Sequence, residues 1–84
     1  MHDLHVADKI FKLVQENAKV AKIDKVKVIT IDLGSVIEHG ADITRENLDF
    51  NLRMLGEGYL PPDIRIIINK VPGHDWNLVS ISGD

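Results

Sequence analysis

Apolar residues recur at three- and four-residue steps through the first quarter of the chain, and polar residues fill the positions between them. This spacing predicts an amphipathic helix of about five turns. Asp3 stands just before the helix, where its side-chain oxygen can accept a hydrogen bond from a free N–H group of the first turn. The apolar positions are Leu4, Ala7, Ile10, Phe11, Val14, Ala18 and Ala21.

Three later segments have the β-branched composition and the alternation that are typical of strands. They cover residues 25–33, 63–71 and 76–81. In the first segment, Ile29, Ile31 and Leu33 share one face, and Val26 and Val28 are expected on the other.

A second helix is predicted between the first two strands. Thr44 can cap it, and Ile43 and Leu48 stand at the two positions of a hydrophobic staple. Gly56 or Gly58 ends the helix, and the two prolines that follow prevent its return.

The order α-β-α-β-β predicts an α+β fold in which two helices pack on one face of a three-stranded sheet. A short turn at Pro72-Gly73 separates the second and third strands, so we expect these two strands to be antiparallel neighbours. No internal linker or repeat interrupts the pattern, and residues 1–84 are therefore predicted to form a single domain.

Composition excludes several function classes. The chain has 84 residues, no cysteine and a net charge of −3, which argues against disulfides, thiolate metal sites and a dedicated nucleic-acid-binding role. We find neither a signal-peptide pattern nor an apolar run of the roughly 20 residues that a membrane span needs, so a cytoplasmic location is expected.

No motif for catalysis or cofactor binding is found in the sequence. The glycines do not form a phosphate-binding loop, and no serine stands in the context of a nucleophile. We therefore predict that the chain is not an enzyme, with no catalytic and no cofactor-binding residues. A less favoured alternative is a small enzyme that uses His39 or His74 at an interface between subunits.

A candidate metal site stands at the start of the sequence. The amine of Met1, the backbone nitrogen and imidazole of His2, and the backbone nitrogen of Asp3 could chelate one ion in adjoining rings. Such a nitrogen-rich, near-square arrangement suits Ni(II) or Cu(II), whereas Mg(II) and Ca(II) prefer oxygen.

The other histidines are weaker candidates. His5 follows His2 by three residues and could approach the same ion, but it also fits an exposed position in the first helical turn. His39 and His74 stand beside glycines in predicted loops, where solvent-exposed side chains are the simpler interpretation.

In the order of its elements and in four stretches, the chain resembles the HypA/HybF family of nickel-insertion proteins for [NiFe]-hydrogenase maturation. These stretches are Met1-His2-Asp3-Leu4; Lys25-Val26 with Ile29, Ile31 and Leu33-Gly34; Leu48-Asp49-Phe50 with Leu55 and the glycines after it; and Ser80-Ile81-Ser82-Gly83-Asp84. The resemblance covers most of the chain, but only as the nickel-binding half of that family.

The resemblance implies that Met1, His2 and Asp3 bind Ni(II), and that two helices pack on a three-stranded sheet. It also implies a cytoplasmic metallochaperone whose partners are a maturation GTPase and the hydrogenase large subunit.

Two features depart from the family pattern. Asp3 replaces the usual glutamate. A zinc module with two Cys-x-x-Cys pairs is replaced by residues 70–75, so no zinc is expected in this chain. The alternative function is accordingly a metal-independent interaction module derived from the family, with homodimer formation through an exposed sheet edge.

Overall fold

The computed structural model describes residues 5–38 and 40–84. Over this part of the chain, two helices and a three-stranded sheet form an α+β fold, with a small two-stranded hairpin inserted after the first strand. The elements are α1 (His5–Ala21), β1 (Val26–Leu33), β2 (Ile37–Glu38), β3 (Ala41–Asp42), α2 (Arg45–Leu55), β4 (Arg65–Lys70) and β5 (Trp76–Gly83). The predicted order α-β-α-β-β is confirmed, and the hairpin of β2 and β3 is an addition that the sequence pattern did not predict.

One hydrophobic core lies between the helices and the sheet. The apolar face of α1 supplies Ile10, Val14 and Ala18, which are at most 1% exposed, and α2 supplies Leu48 and Leu52. Burial of these side chains gives each helix much of its stability, because short helices are marginal in water without such packing.

The end of α1 has a specific hydrogen-bonding pattern. Lys22, just after the helix, adopts a left-handed backbone conformation with φ of 59°. The N–H of Ile23 donates to the carbonyl of Ala18 at 2.8 Å, and the N–H of Lys22 donates to that of Lys19 at 3.3 Å. This is the Schellman arrangement, which normally places glycine at the left-handed position.

The start of α2 follows the prediction. The side chain of Thr44 accepts a hydrogen bond of 3.1 Å from the N–H of Asn47, and Gly56 follows the last helical residue. Leu48 is buried and Ile43 packs against the core, as the hydrophobic staple requires. Arg53 donates to the carbonyl of Ile64 at 3.1 Å and so links the end of α2 to the segment that enters β4.

The predicted neighbours within the sheet were wrong. The strand order is β4-β1-β5, with β1 in the centre, parallel to β4 and antiparallel to β5. The two strands joined by the short turn therefore lie on opposite sides of β1. β1 is the most apolar of the three strands, and its residues Ile29, Ile31 and Leu33 are fully buried. In the central position, both of its edges are covered by a neighbouring strand.

The connection between β4 and β5 passes over the end of β1. The N–H of Val71 donates to the carbonyl of Leu33, the N–H of Gly34 to that of Asp75, and the N–H of Ser35 to that of Gly73, all at 2.8–3.0 Å. These bonds satisfy backbone groups that the end of β1 would otherwise leave unpaired.

The predicted orientation of Val26 was also wrong. Val26 is 2% exposed and belongs to the core, although Val28 is only half-buried. The pairing of β1 with β5 shifts register between Val26 and Val28, so one extra residue, Lys27, lies between them. Such a bulge breaks the strict alternation of faces.

Candidate functional site

The predicted metal ligands Met1, His2 and Asp3 lie outside the described residues, as does the capping role expected for Asp3. The described backbone begins at His5, the first residue of α1. The start of α1 is thus the described segment nearest in sequence to these three residues.

The last turn of α1 lies beside β5. Asn17, Val20 and Ala21 line a groove together with residues 78–81 of β5, and the N–H of Asp24 donates to the carbonyl of Asp84 at 2.8 Å. The chain therefore leaves α1 close to the end of β5, next to the start of β1.

The end of the sheet where β1 and β4 finish is held together by several hydrogen bonds. Besides the backbone bonds of Gly34 and Ser35, the hydroxyl of Ser35 donates to the carboxylate of Asp42 at 2.8 Å. The ammonium of Lys70 donates to the carbonyl of Gly34 at 3.3 Å. The hairpin, the last residue of β4 and the β4–β5 connection are thus joined at this end.

The sequence pattern marked Gly34 only as the end of the first strand and gave Ser35 no structural role. A Cβ atom at position 34 would stand 2.7 Å from the carbonyl oxygens of both Asp75 and Gly73, so only glycine allows this close crossing. The available signal was a glycine placed directly after a buried strand, which marks a close backbone approach as well as a strand end.

The other histidines are not part of any metal-binding cluster within the described residues. His74 is exposed in the connection between β4 and β5, and His39 lies outside the described part of the chain. Across residues 5–38 and 40–84, histidine and carboxylate side chains do not form any group of three that could hold a metal ion.

A groove of about 590 Å³ lies beside the end of α2. Its lining includes Tyr59, Pro61 and Arg53. The guanidinium of Arg53 is engaged by the carboxylate of Asp49 and the carbonyl of Ile64. The groove thus offers mainly apolar surface, with the charged side chains of Lys25 and Glu57 also in its lining.

An exposed ion pair joins the start of β1 to the residue that follows β5. The ammonium of Lys27 lies 2.7 Å from the carboxylate of Asp84. This hydrogen bond and the attraction between the charges hold the pKa of Asp84 below its ordinary value of 3.8 and raise the pKa of Lys27 above 10.5. Both groups are exposed, so the pair is a surface feature rather than part of a buried site.

Across the described residues, neither helix has the length and apolar character needed to cross a membrane.

Comparison with known proteins gives a consistent set of relatives. The chain is 28% identical over 78 residues to the hydrogenase maturation factor HypA of Azotobacter chroococcum mcd 1 and, to the same extent, to that of Azotobacter vinelandii. It is 23% identical over 73 residues to the hydrogenase maturation factor HypA of Legionella pneumophila. No model of a known protein family matches the chain.

These matches differ in how much of each protein they cover. They include 87–93% of this chain but only 61–66% of the length of the relatives. The relatives bear the name of a maturation factor, which is consistent with the prediction that this chain is not an enzyme. The chain is therefore similar, over nearly all of its own length, to hydrogenase maturation factors of the HypA type.

Proposed function

We propose that this chain binds Ni(II) through Met1, His2 and Asp3 and carries the ion as cargo in the maturation of a nickel enzyme such as [NiFe]-hydrogenase. The observation that supports this most directly is the Met-His pair at the start of a chain that is similar to HypA maturation factors over 93% of its length. The proposal takes Met1 as the residue that bears the free amine.

The chemistry of these three residues fits the cargo. An N-terminal amine has an ordinary pKa of about 7.7–8.0 and an imidazole about 6.5, so both lose a proton to a metal near neutral pH. Together with backbone nitrogens of His2 and Asp3, they supply a nitrogen set of the kind that Ni(II) prefers. Copper would bind such a set more tightly, so the choice of nickel depends on metal supply and on partners.

The described start of α1 supports the proposal from the structural side. Val6 and Ala7, which directly follow His5, are 5% and 1% exposed and are part of the core. The segment that carries His2 is thus only a few residues from an anchored helical turn. This closeness limits how far the bound ion can lie from the folded domain.

The proposed role includes partners. A maturation GTPase and the hydrogenase large subunit are the partners that the family resemblance implies, and the proposal places their encounter with this chain in the cytoplasm. Since the chain has no cysteine, these contacts would form without a zinc module. Residues 70–75, with the short connection between β4 and β5, occupy the place of that module.

The test is a calorimetric titration of Ni(II) into the untagged chain and into the variants His2→Ala and His74→Ala. His74 is the matched control, because it is an exposed histidine of the folded domain. We expect the His2→Ala variant to lose nickel binding and the His74→Ala variant to keep it. Equal affinity of the wild-type chain and the His2→Ala variant would overturn the proposal.

The role in maturation needs a separate measurement. A bacterial strain that lacks its HypA-type factor and has low hydrogenase activity can be supplied with this chain or with its His2→Ala variant. We expect hydrogenase activity to recover with the wild-type chain and not with the His2→Ala variant. A chain that binds no nickel and fails to restore activity would instead fit the metal-independent interaction module.

A further inference from the structure

We infer that the groove beside the end of α2 binds a small zwitterion with an apolar side chain, of the class of the hydrophobic α-amino acids. Its volume of about 590 Å³ lies within the range of small-ligand sites. The groove is lined by residues 57–62 and Ile64 from the segment that joins α2 to β4, by Arg53 of α2, and by Lys25, just before β1. This inference does not depend on nickel binding.

The apolar part of the lining is continuous with the folded core. Leu60 and Ile64 are only 8% and 5% exposed, and both belong to the core cluster. Pro61 and Pro62 add carbon surface and have no backbone N–H group to leave unpaired. An apolar side chain that covers this lining would remove apolar surface of both partners from water, which favours binding.

Hydrogen bonds and ring packing hold the segment that lines the groove. The carbonyl of Gly56 accepts hydrogen bonds from the N–H groups of Tyr59 at 2.8 Å and of Leu60 at 2.7 Å. The ring of Tyr59 packs edge-on against Phe11 of α1, with the ring centroids 5.6 Å apart. A site that is already formed loses less conformational entropy when a ligand binds, so even a small ligand can be held.

Two opposite charges in the lining form no ion pair within the described residues. They are the exposed ammonium of Lys25 and the exposed carboxylate of Glu57. The attraction of Lys25 contributes to the low pKa of Asp84, but the carboxylate of Asp84 forms its ion pair with Lys27. The third charged group, Arg53, is engaged in an ion pair on α2. The groove therefore offers a ligand one cation and one anion.

This pair of charges indicates the class of the ligand. A ligand with a carboxylate alone would be attracted by Lys25 and repelled by Glu57, and a ligand with an amine alone would meet the reverse. An α-amino acid carries both charges on one carbon, so its carboxylate can turn towards Lys25 and its ammonium towards Glu57. A hydrophobic side chain on that carbon is what the rest of the lining accommodates.

The test records amide ¹H–¹⁵N NMR spectra of the ¹⁵N-labelled chain during titration with L-phenylalanine, without nickel. We expect saturable shifts of the amide signals of Glu57, Gly58, Tyr59, Leu60 and Ile64, with a Kd on the order of 1 mM. 3-Phenylpropionate and phenethylamine each lack one of the two charges and should bind about threefold more weakly. L-Serine, which has both charges but no apolar side chain, should give no saturable shifts.

Two variants test the charged groups. Lys25→Met and Glu57→Gln should each weaken the binding of L-phenylalanine about threefold. Lys19→Met is the matched control, because Lys19 is an exposed lysine outside the groove, and it should bind as the wild type does. Circular dichroism establishes that each variant is folded.

The ligand series on the wild-type chain tests the inference even if a variant does not fold. Absence of saturable shifts at the residues of the groove with L-phenylalanine overturns it. So does equally tight binding of 3-phenylpropionate or phenethylamine, since the zwitterion would then have no advantage. Unchanged affinity in the folded Lys25→Met and Glu57→Gln variants contradicts it as well. None of these outcomes changes the expectation for nickel, which is titrated separately.

Discussion

The backbone N–H of Gly34 donates a hydrogen bond of 2.8 Å to the carbonyl of Asp75. Gly34 is the first residue after β1, and Asp75 is the last residue before β5. This contact marks the point where the connection from β4 crosses the end of the central strand. The crossing exists because β1 lies between β4 and β5, a strand order that the sequence pattern did not predict.

Replacement of Gly34 by alanine is expected to destabilise the fold by about 2–3 kcal/mol, because the new Cβ would stand 2.7 Å from two carbonyl oxygens that cannot move easily. Urea unfolding followed by the fluorescence of Trp76 measures the change. Gly58→Ala is the control: its φ of 89° strains alanine, but open space surrounds the site, so a loss of about 1 kcal/mol is expected. An equal or smaller loss for Gly34→Ala would argue against the tight crossing.

Replacement of Lys22 by glycine is expected to stabilise the protein by about 0.5–1 kcal/mol. Lys22 has a φ of 59° at the end of α1, a conformation that glycine adopts without steric cost. Thermal and urea unfolding give the difference. Lys22→Ala is the control, because alanine keeps the steric cost of a Cβ atom at positive φ but removes the charge. It should leave the free energy of unfolding almost unchanged. A gain equal to that of the glycine variant would show that the charge, and not the backbone conformation, is responsible.

Replacement of Thr44 by alanine should cost about 1 kcal/mol, because the side chain caps the N–H of Asn47 at the start of α2. Thr44→Ser retains the hydroxyl and should restore most of the stability. The same unfolding experiment tests both. If serine and alanine are equally destabilising, the methyl group of threonine rather than its hydroxyl is what α2 requires.

The ion pair of Lys27 and Asp84 predicts a small, defined pH dependence. Because the pKa of Asp84 is lowered in the folded state, the pair stabilises the fold above the unfolded-state pKa of 3.8, and this contribution is lost as the pH falls through the folded-state value. Because the pKa of Lys27 is raised, its contribution is complete below pH 10.5 and is lost as the pH rises through the folded-state value.

The carboxyl titration of Asp84, followed by NMR, measures this effect directly. In the Lys27→Met variant we expect the Asp84 pKa to return towards its ordinary value, and high salt should act in the same direction. An Asp84 pKa that is the same with and without Lys27 would contradict the ion pair seen in the structure.

The elements that depend on local sequence could be predicted. The apolar stripe of α1 and the cap at Thr44 are set by residues within a few positions of each other. The cap and most of the described stripe are found as expected. Ala21 is exposed, however, and Val6, which the stripe did not include, is buried. Neighbours in the sheet depend instead on contacts between distant segments. The turn at Pro72-Gly73 is compatible either with a return beside β4 or with a crossing over β1, and nothing in its own sequence decides between them.

Bulges limited the prediction of which side chains face the core. Val26 and Ile29 are both buried although they are three residues apart, and the same holds for the pair Leu78 and Ile81 in contact with the core. An extra residue in a strand breaks the alternation on which the expected faces rest. The metal site is a different case, because Met1, His2 and Asp3 lie outside the described residues and their role stays a prediction.

Nickel binding at the start of the chain is the central claim, and it requires the Met1 amine and the His2 imidazole to act together. The most direct measurement compares Ni(II) titrations of the chain with a free Met1 amine and of the same chain carrying an N-terminal acetyl group, which removes the amine from the chelate. We expect the free chain to bind one Ni(II) and the acetylated chain to lose that binding. Equal affinity of the two chains would contradict the account.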